Sequence, residues 1–287
     1  FFEHKNVSWD SVKKVYEPLI SDEMNENELF SVLSGMVVSL KDGHTSLYTP
    51  FDTCKYYFYE GVPNNFNSKF VKNTYLVPNN FQETETIRHC LLNNNVAYLH
   101  YGSFEDDVTE EGINSILENY TNSNGLIIDI RDNTGGDLTN IYRLVEHFVE
   151  NERLCGYFQE KLNEEHNSLT EPYPIYVSSR GVSFSNKSII VLTNRKVYSS
   201  AHIFTCFMSQ LPNVKIIGDM TGGGSGVPTS NQLPNGWLFR YSSGIVTFEN
   251  RKSYESGLNP DINVSTDEAS ELLGKDLLIE RPILELQ

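Results

Sequence analysis

The sequence predicts an α/β protein in which a series of strand and helix units follows an N-terminal helical region. Two observations carry this. From Val96 onward, short apolar runs that read as buried strands alternate with segments of helical period. Ahead of them, the apolar residues of the first 40 positions recur at the spacing of helix faces. With 287 residues, 39% of them hydrophobic, the chain is long enough to bury a sizeable core.

Taken in order, Trp9, Val12, Val15, Tyr16 and Ile20 mark a first helix over 8–20. A second begins at Asn25, a cap with Glu28 three residues on, and runs through Leu29, Leu33, Met36, Val37 and Leu40. It stops at "KDGHTSL", where Gly43 is a natural breaker. Residues 51–95 are aromatic, Asn-rich and weakly periodic, with "KFVKNTYLV" as a strand candidate. Then follow "VAYLHYGSF" as strand, "EEGINSILENY" as helix, "GLIIDIR" as buried strand and "LTNIYRLVEHFV" as helix. After these come "SIIVLTN" as strand, residues 200–210 as helix and "VKIIG" as strand. Two shorter strands, "GWLFRYSSG" and "IVTFEN", precede a loop "YESGLNPDINV" and a helical tail from about Thr266. The organisation expected is a helical region over 1–50, a connecting region over 51–95 and a core over 96–287.

A formal charge of −16 without a basic stripe argues against a nucleic-acid or anionic-membrane surface. No apolar run reaches the roughly 18 residues of a membrane span, and the opening "FFEHKNVSWD" lacks the basic and apolar regions of an export signal. Cys54, Cys90, Cys155 and Cys206 are dispersed, which suggests neither a zinc site nor a redox motif and leaves room for one or two disulfides. No cofactor is implied: the GxxxxGK[ST] phosphate loop and the GxGxxG dinucleotide fingerprint are both missing from the sequence.

Four loops carry reactive or backbone-exposing residues: "KDGHTSL", "IDIRDNTGGDL", "VYSSAH" and "TGGGSG". Ser199 and Ser200 stand between a strand and a helix, where a serine either caps the helix or is presented as a nucleophile on a sharp corner. Gly135 and Gly136 lead into a helix whose free amides suit a developing negative charge, or simply make a tight turn. A serine hydroxyl needs a neighbour to accept its proton. His44 is the first candidate for that base, and His202, three residues after Ser199 on the same helix, competes with it.

Read together and in order, "LKDGHTSL", "GLIIDIRDNTGGD", "VLTNRKVYSSAHIF", "IIGDMTGGGSG" and "YESGLNPDINV" resemble the S41 serine peptidases. That family includes the C-terminal processing proteases, the tricorn core-domain peptidases and the interphotoreceptor retinoid-binding modules. The resemblance implies a ClpP/crotonase-like α/β core. C-terminal processing proteases use a Ser/Lys dyad, but Gly224 stands where the resemblance puts that lysine. Tricorn-like members take a histidine from the N-terminal helical region and a glutamate from the loop before a G-x-x-PD signature, which here correspond to His44 and Glu255.

Carried over by position, the resemblance makes Ser199 the nucleophile, His44 the general base, and Glu255 a member of the polar network behind the imidazole. It gives the oxyanion hole to Ser200 with Gly135 and Gly136, and leaves His202 as a substrate-site residue where many members carry glutamate. Gly43 replaces a serine that orients the base in tricorn proteins, with Thr45 or Ser46 as substitutes. The 51–95 region is too short for a PDZ domain of about 80 to 100 residues. The expected partner is a peptide or unfolded protein substrate, and the expected location is extracytoplasmic, after removal of an export signal. The alternative is a non-catalytic module on the same fold, holding apolar ligands or peptides.

Overall fold

In a computed structural model, which describes residues 2–5, 7–163, 165, 168–248 and 251–286, a short 3-10 turn at Phe2–Lys5 leads into helices α1 (Trp9–Tyr16) and α2 (Glu26–Val38). Asn25 caps α2 in a reciprocal box with Glu28, satisfying two of the amides that every helix start leaves unpaired. The chain then forms strands β1 (Ser46–Tyr48) and β2 (Thr53–Lys55), helix α3 (Ser68–Val71), and strands β3 (Gln82–Thr84), β4 (Ile87–Leu92) and β5 (Val96–His100). Next come α4 (Glu110–Glu118), β6 (Gly125–Asp129), α5 (Thr139–Val145), β7 (Arg153–Glu160), β8 (Tyr173–Val177) and β9 (Ser188–Thr193). The rest is α6 (Ser200–Met208), β10 (Val214–Gly218), β11 (Gly226–Gln232), β12 (Leu238–Thr247), β13 (Ile262–Asn263), α7 (Glu268–Leu272) and α8 (Leu277–Glu285).

Two sheets result. One has the order β13-β10-β9-β6-β5-β4-β3; β5, β6, β9, β10 and β13 run parallel, while β4 and β3 return antiparallel at one edge. The other is antiparallel, β2-β1-β12-β7-β8, with β11 also on β12. β1 therefore joins the N-terminal region to β12 of the C-terminal half.

Parallel strands covered on both faces read as continuous apolar runs, and the side chains of β6 show why. Leu126 and Ile128 enter a cluster with Ile116 of α4, Leu144 of α5 and Phe204 of α6, while Ile127 enters a second cluster with Tyr75, Leu278 and Ile283. Each such buried side chain contributes about 1.5 to 3 kcal/mol.

Two local expectations are corrected. "KFVKNTYLV" is not a strand: Asn67 caps α3, the chain continues helically through Leu76, and Val71, Tyr75 and Leu76 bury together against the second cluster. The two short strands expected around Phe239 and Val246 are one continuous strand, β12. The cysteines form no disulfide; all four are buried free thiols.

Candidate active site

The C-terminal ends of adjacent parallel strands are where open α/β sheets place their ligands, and here the loops after β6 and β9 meet. Ser199 opens α6 with φ 54° and ψ −127°, a left-handed conformation that costs a non-glycine residue on the order of 1 to 3 kcal/mol. Backbone bonds on both sides impose it: the Tyr198 amide donates to the Asn133 carbonyl at 3.2 Å and the Ser199 amide to the Gly223 carbonyl at 3.0 Å. The capping reading of this serine fails, because its side chain makes no cap bond to α6. Its hydroxyl instead lies 2.9 Å from Nε2 of His44.

His44 sits in the turn after α2. Asp42 shapes that turn, accepting the His44 amide at 3.1 Å on one carboxylate oxygen and the Thr45 hydroxyl at 2.9 Å on the other. The imidazole is 4% exposed and lies beside the Tyr198 ring, centroids 4.9 Å apart. Burial pushes its pKa down to about 4, against the opposing pull of the Asp42 carboxylate. Nδ1 has no hydrogen-bond partner among the described residues.

The glycine turn after β6 approaches Ser199 more closely than any side chain allows. A Cβ on Gly135, at φ 102°, would lie 2.8 Å from the Ser199 Cβ and 3.1 Å from the Ser200 amide nitrogen. The Gly135 amide donates to Oδ1 of Asn133 at 3.0 Å, which fixes the turn. Ser200, fully buried at the first position of α6, has an amide with no partner inside the helix. An apolar hollow of about 270 Å³ is lined by Leu138, two positions after Gly136, and by Ile203, four positions after Ser199, with Ile141, Phe158, Phe207 and Val246 among others.

Glu255 is buried in the network behind His44 but makes no hydrogen bond to the ring. Its Oε2 accepts the Gly226 amide at 3.1 Å, its carbonyl accepts the Gly224 amide at 3.0 Å, and Oε1 pairs with the Lys5 ammonium. Lys5 also lies 3.4 Å from Asp42. Burial works against the Lys5 charge, but the two carboxylates outweigh it and hold its pKa above the ordinary range. Asp42 is shifted the other way: burial, the largest single influence, pushes its carboxyl up, but the Lys5 cation, the His44 ring and the hydrogen bonds from His44 and Thr45 together keep it below its usual value.

The expectation that His202 lines a substrate surface is corrected. This ring is fully buried, with Nδ1 2.8 Å from the Thr221 hydroxyl and Nε2 3.2 Å from that of Ser225. It points into the core beneath "TGGGSG", so it neither reaches Ser199 nor faces solvent. Thr45 does not orient the imidazole directly either, since its hydroxyl is on Asp42.

With the geometry in place, comparison with known proteins is direct. The sequence model for peptidase family S41 matches residues 95–264. The chain belongs to this family. A crystal structure of a candidate peptidase from Parabacteroides merdae is 37% identical, covers 100% of this chain and 91% of that one, and superposes with a TM-score of 0.93. A Staphylococcus epidermidis protein named as a probable CtpA-like serine protease is 23% identical over 60% of this chain. The chain spans about a third of the length of such curated relatives (34%). A lipoprotein from Streptococcus agalactiae shares the fold at 16% identity and TM-score 0.55, covering 99% of this chain and 95% of that one.

Within this S41 chain, the position that the family resemblance gives to a dyad lysine is closed to side chains. Gly224 has φ 84°, and a Cβ there would come within 2.4 Å of the Tyr198 ring. Three residues of the site escaped the sequence reading: Lys5, Asp42 and Tyr198. Asp42 carried a signal, two positions before His44 as an Asx-turn residue. Lys5 carried none, because only the tertiary fold brings it to Asp42 and Glu255.

Proposed function

We propose that this chain is a serine-type peptidase, an endopeptidase or oligopeptidase, that cleaves peptide bonds through an acyl-enzyme on Ser199 with His44 as general base. The carrying observation is the 2.9 Å contact between His44 Nε2 and the hydroxyl of a serine held at φ 54°. A pKa lowered to about 4 keeps the imidazole in its free-base form at neutral pH, which is the form that can accept a proton.

In this reading Nε2 takes the Oγ proton as Oγ attacks the substrate carbonyl carbon. The resulting oxyanion receives hydrogen bonds from the Ser200 amide and, in the Gly135–Gly136 turn, from the Gly136 amide, the Gly135 amide being held by Asn133. The imidazolium then protonates the leaving amine, and His44 next accepts a proton from the water that releases the acyl group from Ser199. Placing the base on the N-terminal helical region is the tricorn-like arrangement, and it is supported by His44 and by glycine at 224.

The hollow flanked by Leu138 and Ile203 fits a nonpolar side chain beside the scissile bond. The substrates proposed are peptides or unfolded protein segments. An extracytoplasmic location belongs to the same reading; the Streptococcus agalactiae relative is described as a lipoprotein, and among the described residues no helix is long and apolar enough to cross a membrane.

A fluorophosphonate probe tests this without knowledge of the substrate. It should label the wild type and leave Ser199→Ala unlabelled, and His44→Ala should slow labelling by about 10²- to 10⁴-fold. Labelling at Ser200, or nowhere, would overturn the assignment.

A further inference from the structure

We propose that Lys5 is a positioning residue of this site, its ammonium clamping the two buried carboxylates on which the His44 turn and the Ser199 corner separately rest. The inference builds on the Ser199–His44 reading and deepens it, by making the N-terminal turn part of the machinery.

The argument is one of connectivity. On one side of Lys5 is Asp42, 3.4 Å from Nζ. Asp42 organises the base: it accepts the His44 amide, the Thr45 hydroxyl and the Ser242 hydroxyl, the last at 3.0 Å, and the Tyr198 hydroxyl at 3.3 Å. On the other side is Glu255, paired directly with Nζ. Glu255 supports the loop that holds the nucleophile: its carboxylate accepts the Gly226 amide and its backbone carbonyl accepts the Gly224 amide, and Gly223 in the same loop supplies the carbonyl that holds the Ser199 amide. The base and the nucleophile come from segments 155 positions apart. Lys5 is the cation shared by the supports of both.

The burial is what gives the clamp its force. Asp42 and Glu255 side chains are 3% and 2% exposed, and the Lys5 side chain, though so near the start of the sequence, is only 12% exposed. Two carboxylates this buried and this close to one cation repel each other when the cation is removed, so one must take up a proton or move. Either response disturbs an anchor of the Ser199–His44 contact.

The clamp also acts on the charge of the base. The groups that face His44 are Asp42 on its own turn, Lys5 from the N-terminal segment, Arg240 from β12, Glu255 behind Lys5, and Tyr198 and Ser199 from the loop before α6. Lys5 and Arg240 disfavour the imidazolium, and Asp42 favours it. Taking away Lys5 therefore raises the pH below which His44 becomes protonated and labelling of Ser199 stops.

The test measures the rate of Ser199 labelling by a fluorophosphonate against pH, with folding monitored by circular dichroism and thermal melting. Lys5→Met should label about tenfold more slowly at pH 7 and lose activity about half a pH unit higher than wild type. Lys5→Arg, which keeps the charge, should hold the wild-type acid limb. Lys5→Met combined with Glu255→Gln restores the original net charge of the cluster and should recover most of the rate and the limb, a coupling that two unrelated structural defects would not show.

A folded Lys5→Met with wild-type rate and limb overturns the clamp. So does a folded double variant no better than Lys5→Met alone. If Lys5→Met does not fold, the double variant decides by itself: labelling near the wild-type rate supports charge neutralisation, and a folded but inactive protein refutes it. Failure of the wild type to label, with Ser199→Ala as the control, would instead bring down the peptidase reading on which the clamp rests.

Discussion

Among the described residues, Arg131 and Lys5 are each set between two buried carboxylates, and the two sites differ in how completely their hydrogen bonds are used. Arg131, fully buried, donates from Nε and Nη2 to Asp129, and from Nη1 to Asp276 and the Asn65 carbonyl. Asp129 also accepts the Tyr98 hydroxyl at 2.7 Å, and Asp276 caps α8. This is a planar fork with its donors matched to fixed acceptors, tying the end of β6 to the C-terminal helix. Lys5 is a compact point charge between Asp42 and Glu255, next to an imidazole whose Nδ1 has no partner among the described residues. A network that spends every guanidinium nitrogen on a fixed acceptor fastens the fold, whereas one beside a strained serine and an imidazole with a ring nitrogen unpartnered among the described residues is suited to chemistry.

The largest effect expected from this difference is on stability, at the Arg131 site. Arg131→Met leaves two buried carboxylates without their cation and should cost about 3 to 5 kcal/mol, read as a lower urea midpoint at unchanged slope. Lys5→Met should cost less, about 1 to 2 kcal/mol, because Lys5 keeps partial contact with solvent and burial already raises the pKa of Glu255, easing its protonation. Equal losses at the two positions would erase the distinction between fastening and poising.

A second test moves the wall of the site without touching a charge. Gly224→Ala places a methyl where φ is 84° and the Tyr198 ring lies 2.4 Å away. Tyr198 stands against His44 and donates to Asp42. Labelling should therefore slow by about 10- to 100-fold, together with a stability loss of about 1 to 3 kcal/mol from the strained backbone. A stability loss with an unchanged labelling rate would show that Tyr198 does not couple this loop to the base.

These same residues show what the sequence made legible. The units from β5 to β10 stood out because strands buried on both faces are apolar runs, and the helices between them have one apolar face each. The Ser199 corner and the Gly135–Gly136 turn were legible because such corners and glycine turns leave local marks, and His44 was named as the neighbour that a serine hydroxyl would need. The antiparallel sheet was harder: β7, β8 and β11 are half-exposed strands, β7 between β12 and β8, β8 at the end of the order and β11 on β12, and their burial depends on how the strands pair in the sheet. The helix at Ser68–Val71 was mistaken for a strand because its aromatic and β-branched residues favour strands, and tertiary burial overrode that preference. Lys5 had no pattern to betray it, since an ion pair across the fold has no spacing.

The smallest expected effect separates the two histidines that the sequence offered as partners of Ser199. Both are buried and both are pushed down by burial, His44 to about 4 and His202 to about 3. Depressed pKa values therefore do not tell them apart; their bonds do. His202 spends both ring nitrogens on Thr221 and Ser225, as Arg131 spends its donors on carboxylates, while His44 spends one on Ser199. His202→Asn keeps one polar contact in that pocket and should cost about 1 to 2 kcal/mol in thermal or urea unfolding. Because His202 makes no hydrogen bond to the Ser199 hydroxyl, the pH limb for Ser199 labelling should stay where the wild type has it. A shift of that limb in a folded His202→Asn protein would mean that the core histidine feels the charge of His44, and that the use of hydrogen bonds is not what divides the two histidines here.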